Sequence, residues 1–204
     1  MARYRGPRLR IVRRLGELPG LTRKTSRKEN PPGQHGSSAS MKKISQYSIR
    51  LREKQKLRYN YGISEKQLVN YVKKSRKSKG SSGEILLQLL EMRLDNIVFR
   101  MGMAPTVLAA RQMVNHGHIC VNNQAVDIPS YQCKANDQIT VKARKASRKM
   151  VESNMEAFSN AALPEHLTFN ASNLAGEIKS LVQRNWISLK INELLVVEYY
   201  SRKV

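Results

Sequence analysis

The spacing of apolar residues predicts helices in the first half of the chain. The segments 46–62 and 64–80 have helical texture, and Ser64 with Gln67 forms a capping-box pattern at the start of the second. Residues 81–102 predict one continuous helix, and residues 106–116 predict another that begins at Thr106. In the 81–102 helix, the face opposite the apolar one is expected to be solvated, and it carries Glu84, Gln88, Glu91 and Asp95.

After Gly117 the apolar residues alternate with polar ones, which is the period of a strand. Residues 118–128 predict a hairpin that turns at Asn122 and Asn123, because asparagine tolerates positive φ. A further strand is predicted at 137–143, a helix at 148–162, and strands at 166–171, 176–182 and 186–191. The tail 192–204 fits either a strand or a short buried helix.

The first 45 residues form a different kind of segment. They are basic and then rich in Pro, Gly and Ser, with few apolar residues. We therefore expect an extended arm without a core that becomes ordered against a partner.

The excess charge lies almost wholly in the first part of the chain. Residues 1–80 contain 23 basic and 4 acidic residues, whereas residues 81–204 contain 14 and 11. Such a block binds a polyanion or repels itself into disorder. The interleaved tyrosines and the lack of a DNA-reading motif favour structured RNA. A membrane surface is disfavoured because the arm shows no basic amphipathic helix, and neither a secretory signal nor a membrane span is expected.

One stretch, VNHGHICVNN (114–123), raises the question of a metal site, because His116, His118 and Cys120 alternate. Gly117 divides the set, placing His116 at a helix end and His118 at a strand start. Cys120 is therefore expected to pack as a small apolar residue, and with Cys133 it indicates free thiols in a reducing compartment. Neither a nucleotide-binding loop nor a catalytic triad is recognisable, so we expect no enzyme activity and no cofactor.

Residues 93–141, with the elements Arg-Leu-Asp, Ala-Arg-Gln, His-Gly and Val-Asn, resemble the small S-four RNA-binding domain. The segments PPGQHG (31–36), LREKQKLRYNYG (51–62), LLQLLEMRLDN (86–96) and INELLVVEYYSR (191–202) resemble the family of small-subunit ribosomal protein four. The resemblance covers nearly the full length. The chain departs from the family's pattern in two ways: it has no cysteine before Cys120, where many bacterial members carry a zinc cluster, and Asn123 stands where Gly is usual.

The resemblance implies an α+β fold, with a basic arm (1–45) and a helical domain (46–88 plus 186–204). The S-four domain, helices packed on a small antiparallel sheet, is inserted at 89–185 around a core motif at 93–150. It also implies a helical tail and a structural role in the small ribosomal subunit. The implied role is to bind the 5′ domain of 16S-type rRNA, nucleate assembly of the subunit body and contribute to translational accuracy. The implied neighbours are ribosomal proteins five and three and the mRNA entry channel. The opening residues favour a chloroplast ribosome, with a cyanobacterial cytoplasm as the alternative.

Candidate RNA-binding residues follow from the basic block and from the resemblance. They are Arg3, Arg5, Arg8, Arg10, Arg13, Arg14, Gln34, His35, Gly36, Tyr47, Arg50, Arg52, Lys54, Lys56, Arg58, Tyr59, Lys73, Lys74, Arg76, Lys77, Arg93, Arg111, His116, His118 and Asn122. No metal ligand and no small-molecule substrate is expected. Two other classes of protein remain open: an RNA-modifying or RNA-charging enzyme that uses an S-four module, and an RNA-binding regulator of translation that acts off the ribosome.

Overall fold

The structure is a computed structural model that describes residues 4–28, 30–34, 36, 44–156 and 163–201. The chain divides into two compact units. Unit 1 is formed by Met1–Leu86 with Leu189–Val204, and unit 2 is Leu87–Ser188. The helices, in chain order, are α1 Arg8–Leu15, α2 Gln46–Asn60, α3 Glu65–Lys77, α4 Ser82–Glu91, α5 Leu94–Arg100, α6 Val107–Asn115, α7 Lys145–Glu156 and α8 Glu193–Ser201.

Unit 1 is helical, and its returning segment is a helix rather than a strand. The α8 helix packs on α2 and α3, so the tail takes the helical form that the family resemblance implied. At the start of α3, Ser64 accepts a hydrogen bond from the Gln67 amide, and the Gln67 side chain accepts one from the Ser64 amide. The predicted capping box is therefore present.

The arm departs from its prediction because part of it is helical and has its own buried residues. Ile11 and Leu15 on α1 are buried, and Leu18 and Leu21 after it are each 1% exposed. The α1 helix packs on α2. The expectation of an extended segment without a core is therefore wrong for this part, because four apolar side chains among the arginines suffice to fix it.

Residues 81–102 form two helices instead of the predicted single one. Arg93 has extended backbone angles between α4 and α5 and forms a β-bridge with Gln132. The Leu94 amide donates to the Tyr131 carbonyl at 2.9 Å, and the Cys133 amide donates to the Met92 carbonyl at 2.9 Å. The helix breaks because the backbone around Arg93 pairs with residues 40 positions away.

Unit 2 packs helices on one small antiparallel sheet. Its strands are β1 Ile119–Val121, β2 Gln124–Ala125, β3 Gln138–Val141, β4 Leu167–Asn170 and β5 Ala175–Ile178, in the order β2-β1-β3-β5-β4. Ile119 lies opposite Val141, and both are buried with Ile139. This arrangement of helices and a sheet confirms the α+β class.

Asn122 (φ 49°) and Asn123 (φ 66°) make the predicted tight turn between β1 and β2. Elsewhere in unit 2 the predictions are less accurate. The predicted strand at 186–191 is absent, and a short 3-10 helix at Arg184–Trp186 leads into residues that join no strand. The helix predicted at 148–162 begins earlier, at Lys145, and residues 157–162 lie outside the described part of the chain. Among the described residues, no helix is both long and apolar enough to cross a membrane.

Candidate RNA interface

The arginines of the arm fall into two groups. Arg5, Arg10 and Arg14 are exposed. Arg13 instead donates from Nε and Nη2 to the Asn30 carbonyl at 2.9 and 2.6 Å, and Arg8 Nη1 donates to the Leu21 carbonyl at 3.5 Å. Arg13 therefore holds the folded arm together. Arg8 is itself exposed, so it can meet phosphates together with Arg5, Arg10 and Arg14.

The cations of α2 are largely engaged with carboxylates. Arg50 Nη2 lies 2.5 Å from Glu198, and Lys56 Nζ lies 2.6 Å from Glu53. Lys54 is 4% exposed and its Nζ lies 2.9 Å from Glu65. The prediction that Lys54 contacts phosphate is wrong for this structure, because its ammonium is buried against a carboxylate.

Arg58 and Arg52 differ in their surroundings although they lie on the same helix. The Arg58 guanidinium lies 5.3 Å from the Tyr59 ring centroid and donates to Gln55 Oε1 at 3.4 Å. Arg52 is exposed and lines a cavity together with Arg10 and Arg14. The structure thus brings together three predicted cations that the sequence separates by about 40 residues.

Exposed lysines cover the end of α3. Lys73, Lys74 and Lys77 are exposed, and Arg76 is half-buried. The run lies in the last turns of the helix, where positive charge is favoured by the helix dipole. The exposed lysines can meet a polyanion, and their role in RNA binding stays a prediction.

The remaining candidates in unit 1 are mixed. Tyr47 is 54% exposed, with its ring centroid 5.9 Å from that of Tyr199. Tyr59 is half-buried. Gln34 is exposed and Gly36 is buried, whereas Arg3 and His35 lie outside the described residues.

Arg93 and Arg111 are core residues of unit 2 and not parts of an RNA surface. Arg93 is fully buried, and its Nε and Nη2 donate to the two carboxylate oxygens of Asp95 at 3.0 and 2.6 Å. Arg111 is 4% exposed. Burial raises the pKa of the Asp95 carboxyl, and the guanidinium groups of Arg93 and Arg111 oppose that rise. The prediction that these two arginines form the RNA face is wrong, because both side chains are buried.

Glu91 was expected in solvent with Asp95, and it too is buried, at 2% exposure. Arg100 donates to it from Nη2 at 2.7 Å and from Nε at 3.1 Å. The Asn96 side chain donates to the same carboxylate at 2.5 Å. Glu91 therefore belongs to an internal ion pair, and the predicted solvated face is wrong at both acids.

The two histidines of the 114–123 stretch lie beside each other at the surface. His116 is exposed at the end of α6, and Gly117 follows with φ 69°, a value that favours glycine. The ring of His118 is 6.0 Å from that of His116, and its Nδ1 is 2.9 Å from Ser147 Oγ. Partial burial lowers the pKa of His118, and His116, Arg144 and Lys142 lower it further.

The RNA-binding residues predicted from the sequence do not include the basic run at 142–149, although this run is visible in the sequence. Its exposed members are Lys142, Arg144, Lys145, Arg148 and Lys149. The Lys142 amide donates to the His118 carbonyl at 2.8 Å, so the run begins beside the histidines. Unlike Arg93 and Arg111, these cations of unit 2 are exposed.

Asn122 stabilises the hairpin turn, and Cys120 lies on strand β1. The Asn122 side chain donates to Asp137 Oδ1 at 2.9 Å and accepts from the Gln138 amide at 2.9 Å, which holds the turn. Cys120 is only half-buried, so the expectation that it packs in the core is wrong. Cys133 is buried, and that burial raises the pKa of its thiol. Within the described ranges no three His, Cys, Asp or Glu side chains form a group that would hold a metal ion.

Two protein families match consecutive parts of the chain. Residues 3–91 match the ribosomal protein S4/S9 N-terminal domain, and residues 92–139 match the S4 domain. Small ribosomal subunit protein uS4c of Cyanophora paradoxa is 63% identical over 99% of this chain and 100% of its own length. The chain belongs to the uS4 family of small ribosomal subunit proteins.

Other uS4 relatives cover the chain equally well. Small ribosomal subunit protein uS4 of Picosynechococcus sp. is 63% identical over 99% of both chains. The uS4c protein of Pyropia yezoensis is 60% identical over the full length of both. The uS4 relatives are structural ribosomal proteins, which agrees with the prediction of a non-enzymatic protein. The relatives include both uS4 and the plastid-type uS4c, at similar identity.

Proposed function

We propose that this chain binds the 5′ domain of small-subunit rRNA directly, nucleates assembly of the subunit body and contributes to translational accuracy. The observation that carries the proposal is the charge of unit 1, which has 26 basic and 7 acidic residues, an excess of 19. An uncompensated surface of this kind is the electrostatic footprint of a nucleic-acid binder. Membership of the uS4 family makes rRNA the expected polyanion.

The exposed cations support direct contact with RNA. Arg10 and Arg14 lie on α1, Arg52 lies on α2, and Lys73 and Lys74 lie on α3. Because they come from three helices of one unit, they present positive charge over a surface rather than along a line. Phosphates of a folded RNA are arranged in the same way, on several strands at once.

The further partners are proposed from the family resemblance. We place the chain beside ribosomal proteins five and three and near mRNA at the entry channel. For location we propose the chloroplast stroma, with a cyanobacterial cytoplasm as the alternative. The relatives with plastid-type and cyanobacterial names are 60–63% identical, so identity alone supports both locations equally.

The binding proposal is tested by titrating the full chain against a 5′-domain transcript at several salt concentrations. Neutralising about ten phosphates gives a log–log slope of roughly −7 to −9. Replacing Arg5, Arg10 and Arg14 by Gln is expected to cost more affinity than replacing His116 and His118 by Gln. Equal affinity for an unrelated RNA of the same length, or a slope near zero, would refute specific binding.

Cellular location on the ribosome needs a separate experiment. Lysate is sedimented in moderate salt, and the gradient is probed for this chain. We expect it in the small-subunit peak. Its absence from that peak, with binding to RNA intact, would favour an RNA-binding regulator that acts off the ribosome.

A further inference from the structure

Unit 1 contains a cavity of about 550 Å³ that the predicted function does not by itself explain. Its walls come from α1, from α2 and from the loop at 31–32. This volume lies in the range of about 300–1,000 Å³ that is typical of small-ligand sites. The cavity is therefore large enough for one nucleotide-sized group.

Three arginines give this cavity a uniform charge. Arg10 and Arg14 lie one turn apart on α1, and Arg52 faces the same space from α2. All three are exposed, and among the residues that the structure describes no acidic one lines the cavity. A planar guanidinium donates two parallel hydrogen bonds to a phosphate, so the three arginines suit a phosphate group.

The rest of the wall is mainly apolar and includes one aromatic ring. Pro31, Pro32 and Leu51 line it together with Tyr59. The ring of Tyr4 packs edge-on against Tyr59, with centroids 5.3 Å apart and planes at 77°. Unpaired RNA bases stack on aromatic rings of this kind. A wall that combines apolar and aromatic residues with three arginines offers groups for both the base and the phosphate of a nucleotide.

The loop that carries the two prolines is held in place. Arg13 donates to the carbonyls of Asn30 and Pro31. The Gly36 amide donates to the Gly33 carbonyl at 3.1 Å, and a Cβ on Gly36 would collide with the Pro31 carbonyl oxygen. Glycine is therefore required at position 36 for the loop to close. Pro31 and Pro32 thus contribute one wall of the cavity.

We propose that this cavity takes one unpaired nucleotide of the bound rRNA, with its base against Tyr59 and the prolines and its phosphate at the three arginines. The inference rests on the proposed RNA-binding function and adds a specific subsite to it. An acidic peptide would satisfy the arginines but would make no use of the aromatic wall. A base within a duplex is stacked and paired, so only an unpaired nucleotide enters.

The first step of the test locates the nucleotide. The full chain with a photo-crosslinking p-benzoylphenylalanine at Gln55, which lines the cavity, is bound to the 5′-domain transcript and irradiated. We expect the crosslink at one unpaired nucleotide. Crosslinks spread over many nucleotides, or none within a complex that does form, would overturn the proposal.

The second step asks whether the cavity binds the base. Removing the base at the crosslinked nucleotide is expected to weaken binding about tenfold or more, since stacking on an aromatic ring is lost. Leu51→Trp places a bulkier side chain in the cavity and narrows the space for a base, so it should weaken binding to intact RNA and reduce the effect of base removal. A base-removal penalty that is the same in Leu51→Trp and in the wild-type chain would exclude the cavity. Circular dichroism shows whether Leu51→Trp is folded.

Two variants that each remove one arginine provide an independent measurement. Arg52→Gln removes a cavity arginine, and Arg27→Gln removes an exposed arginine that does not line the cavity. We expect Arg52→Gln to cost at least threefold more affinity than Arg27→Gln. Equal losses would overturn the subsite while leaving RNA binding established. Failure of the wild-type chain to discriminate the 5′ domain from unrelated RNA would instead refute the proposed function.

Discussion

Arginine has opposite roles in the two units. In unit 1, Arg10, Arg14 and Arg52 are exposed and line a cavity whose described lining contains no acid. In unit 2, Arg93 is the largest fully buried side chain, and it is bonded to Asp95 through two hydrogen bonds. The residue type is the same, and the difference lies in whether a carboxylate is within reach. An arginine in an RNA-binding protein is therefore not by itself an RNA contact.

The charge balance of each unit explains this difference. Unit 2 has 11 basic and 8 acidic residues, so its charge is nearly balanced, and its described ion pairs include Arg93–Asp95 and Arg100–Glu91. In unit 1, acids are few, and the described pairs include Lys54–Glu65 and Arg50–Glu198. The cations left over cannot be buried, because an unpaired charge in a core is very costly. They remain at the surface, where they can meet RNA.

The largest expected effect comes from removing the carboxylate of Asp95, which Arg93 contacts in the core. Asp95→Ala should lower the free energy of unfolding of the chain by about 3–5 kcal/mol, because it removes one partner of a buried ion pair. The measurement is urea unfolding followed by circular dichroism.

The double variant Arg93→Met with Asp95→Leu is the control, since replacing both charges by apolar groups is often nearly neutral. A loss below about 1 kcal/mol in Asp95→Ala would show that Arg93 is satisfied in another way. The contrast between the two units would then be smaller than we infer.

A smaller effect on stability, with a large one on binding, is expected from the exposed lysines of α3. Replacing Lys73, Lys74 and Lys77 by Gln should make the slope of log affinity against log salt concentration less negative by about 2–3. The free energy of unfolding should change by less than about 1 kcal/mol. Titrations at several salt concentrations and urea unfolding measure the two quantities.

The same three substitutions would contradict the comparison if they unfolded the protein and left the salt slope unchanged. In that case the surface lysines of unit 1 would have the structural role that we assign to Arg93.

The smallest expected effect is a pH dependence from His166 in unit 2. His166 is 2% exposed, and within the described part of the chain neither ring nitrogen has a hydrogen-bond partner. Burial lowers the pKa of His166; Glu91 opposes this shift and Arg100 adds to it. The unfolded chain therefore binds the proton more readily, and stability should fall as pH drops below about 6.5.

One proton accounts for at most about 1.4 kcal/mol per pH unit. His166→Phe keeps a ring next to Trp186, whose centroid lies 5.8 Å away, and should flatten this part of the curve. His118, whose pKa is also lowered, contributes a slope of the same sign. Urea unfolding of the wild-type chain and of His166→Phe between pH 5 and 7.5 measures the two slopes. An unchanged slope in His166→Phe would contradict the assignment of the pH dependence to His166.

Much of the fold is predictable because its signals are local. The capping box of Ser64 and Gln67 marks the start of α3, and Asn122 with Asn123 marks the hairpin turn. The break at Arg93 is not local, because the groups that pair with its backbone lie near residue 132. The sequence pattern does not predict the α1 helix, because its few apolar residues are interleaved with arginines, which dominate the composition of that segment.

The candidate site is predictable in location but not residue by residue. The basic block identifies unit 1 as the charged surface, yet whether a given cation is free depends on distant acids. Lys54 is engaged by Glu65, 11 residues away, and Arg50 by Glu198, almost 150 residues away. The cavity that joins Arg10, Arg14 and Arg52 depends on how α1 packs on α2, which no sequence pattern shows.

The return of α8 to α2 also fixes an order of events during synthesis. More than 130 residues separate the end of α2 from the start of α8. At roughly 5–20 residues per second, translation of that interval takes on the order of ten seconds. During this time α2 has been synthesised but α8 has not. The ion pair between Arg50 and Glu198 and the hydrogen bond from Tyr200 to Glu65 therefore cannot yet form. Unit 2 is fully translated within the same interval, and the helical unit that begins first is the one that is completed last.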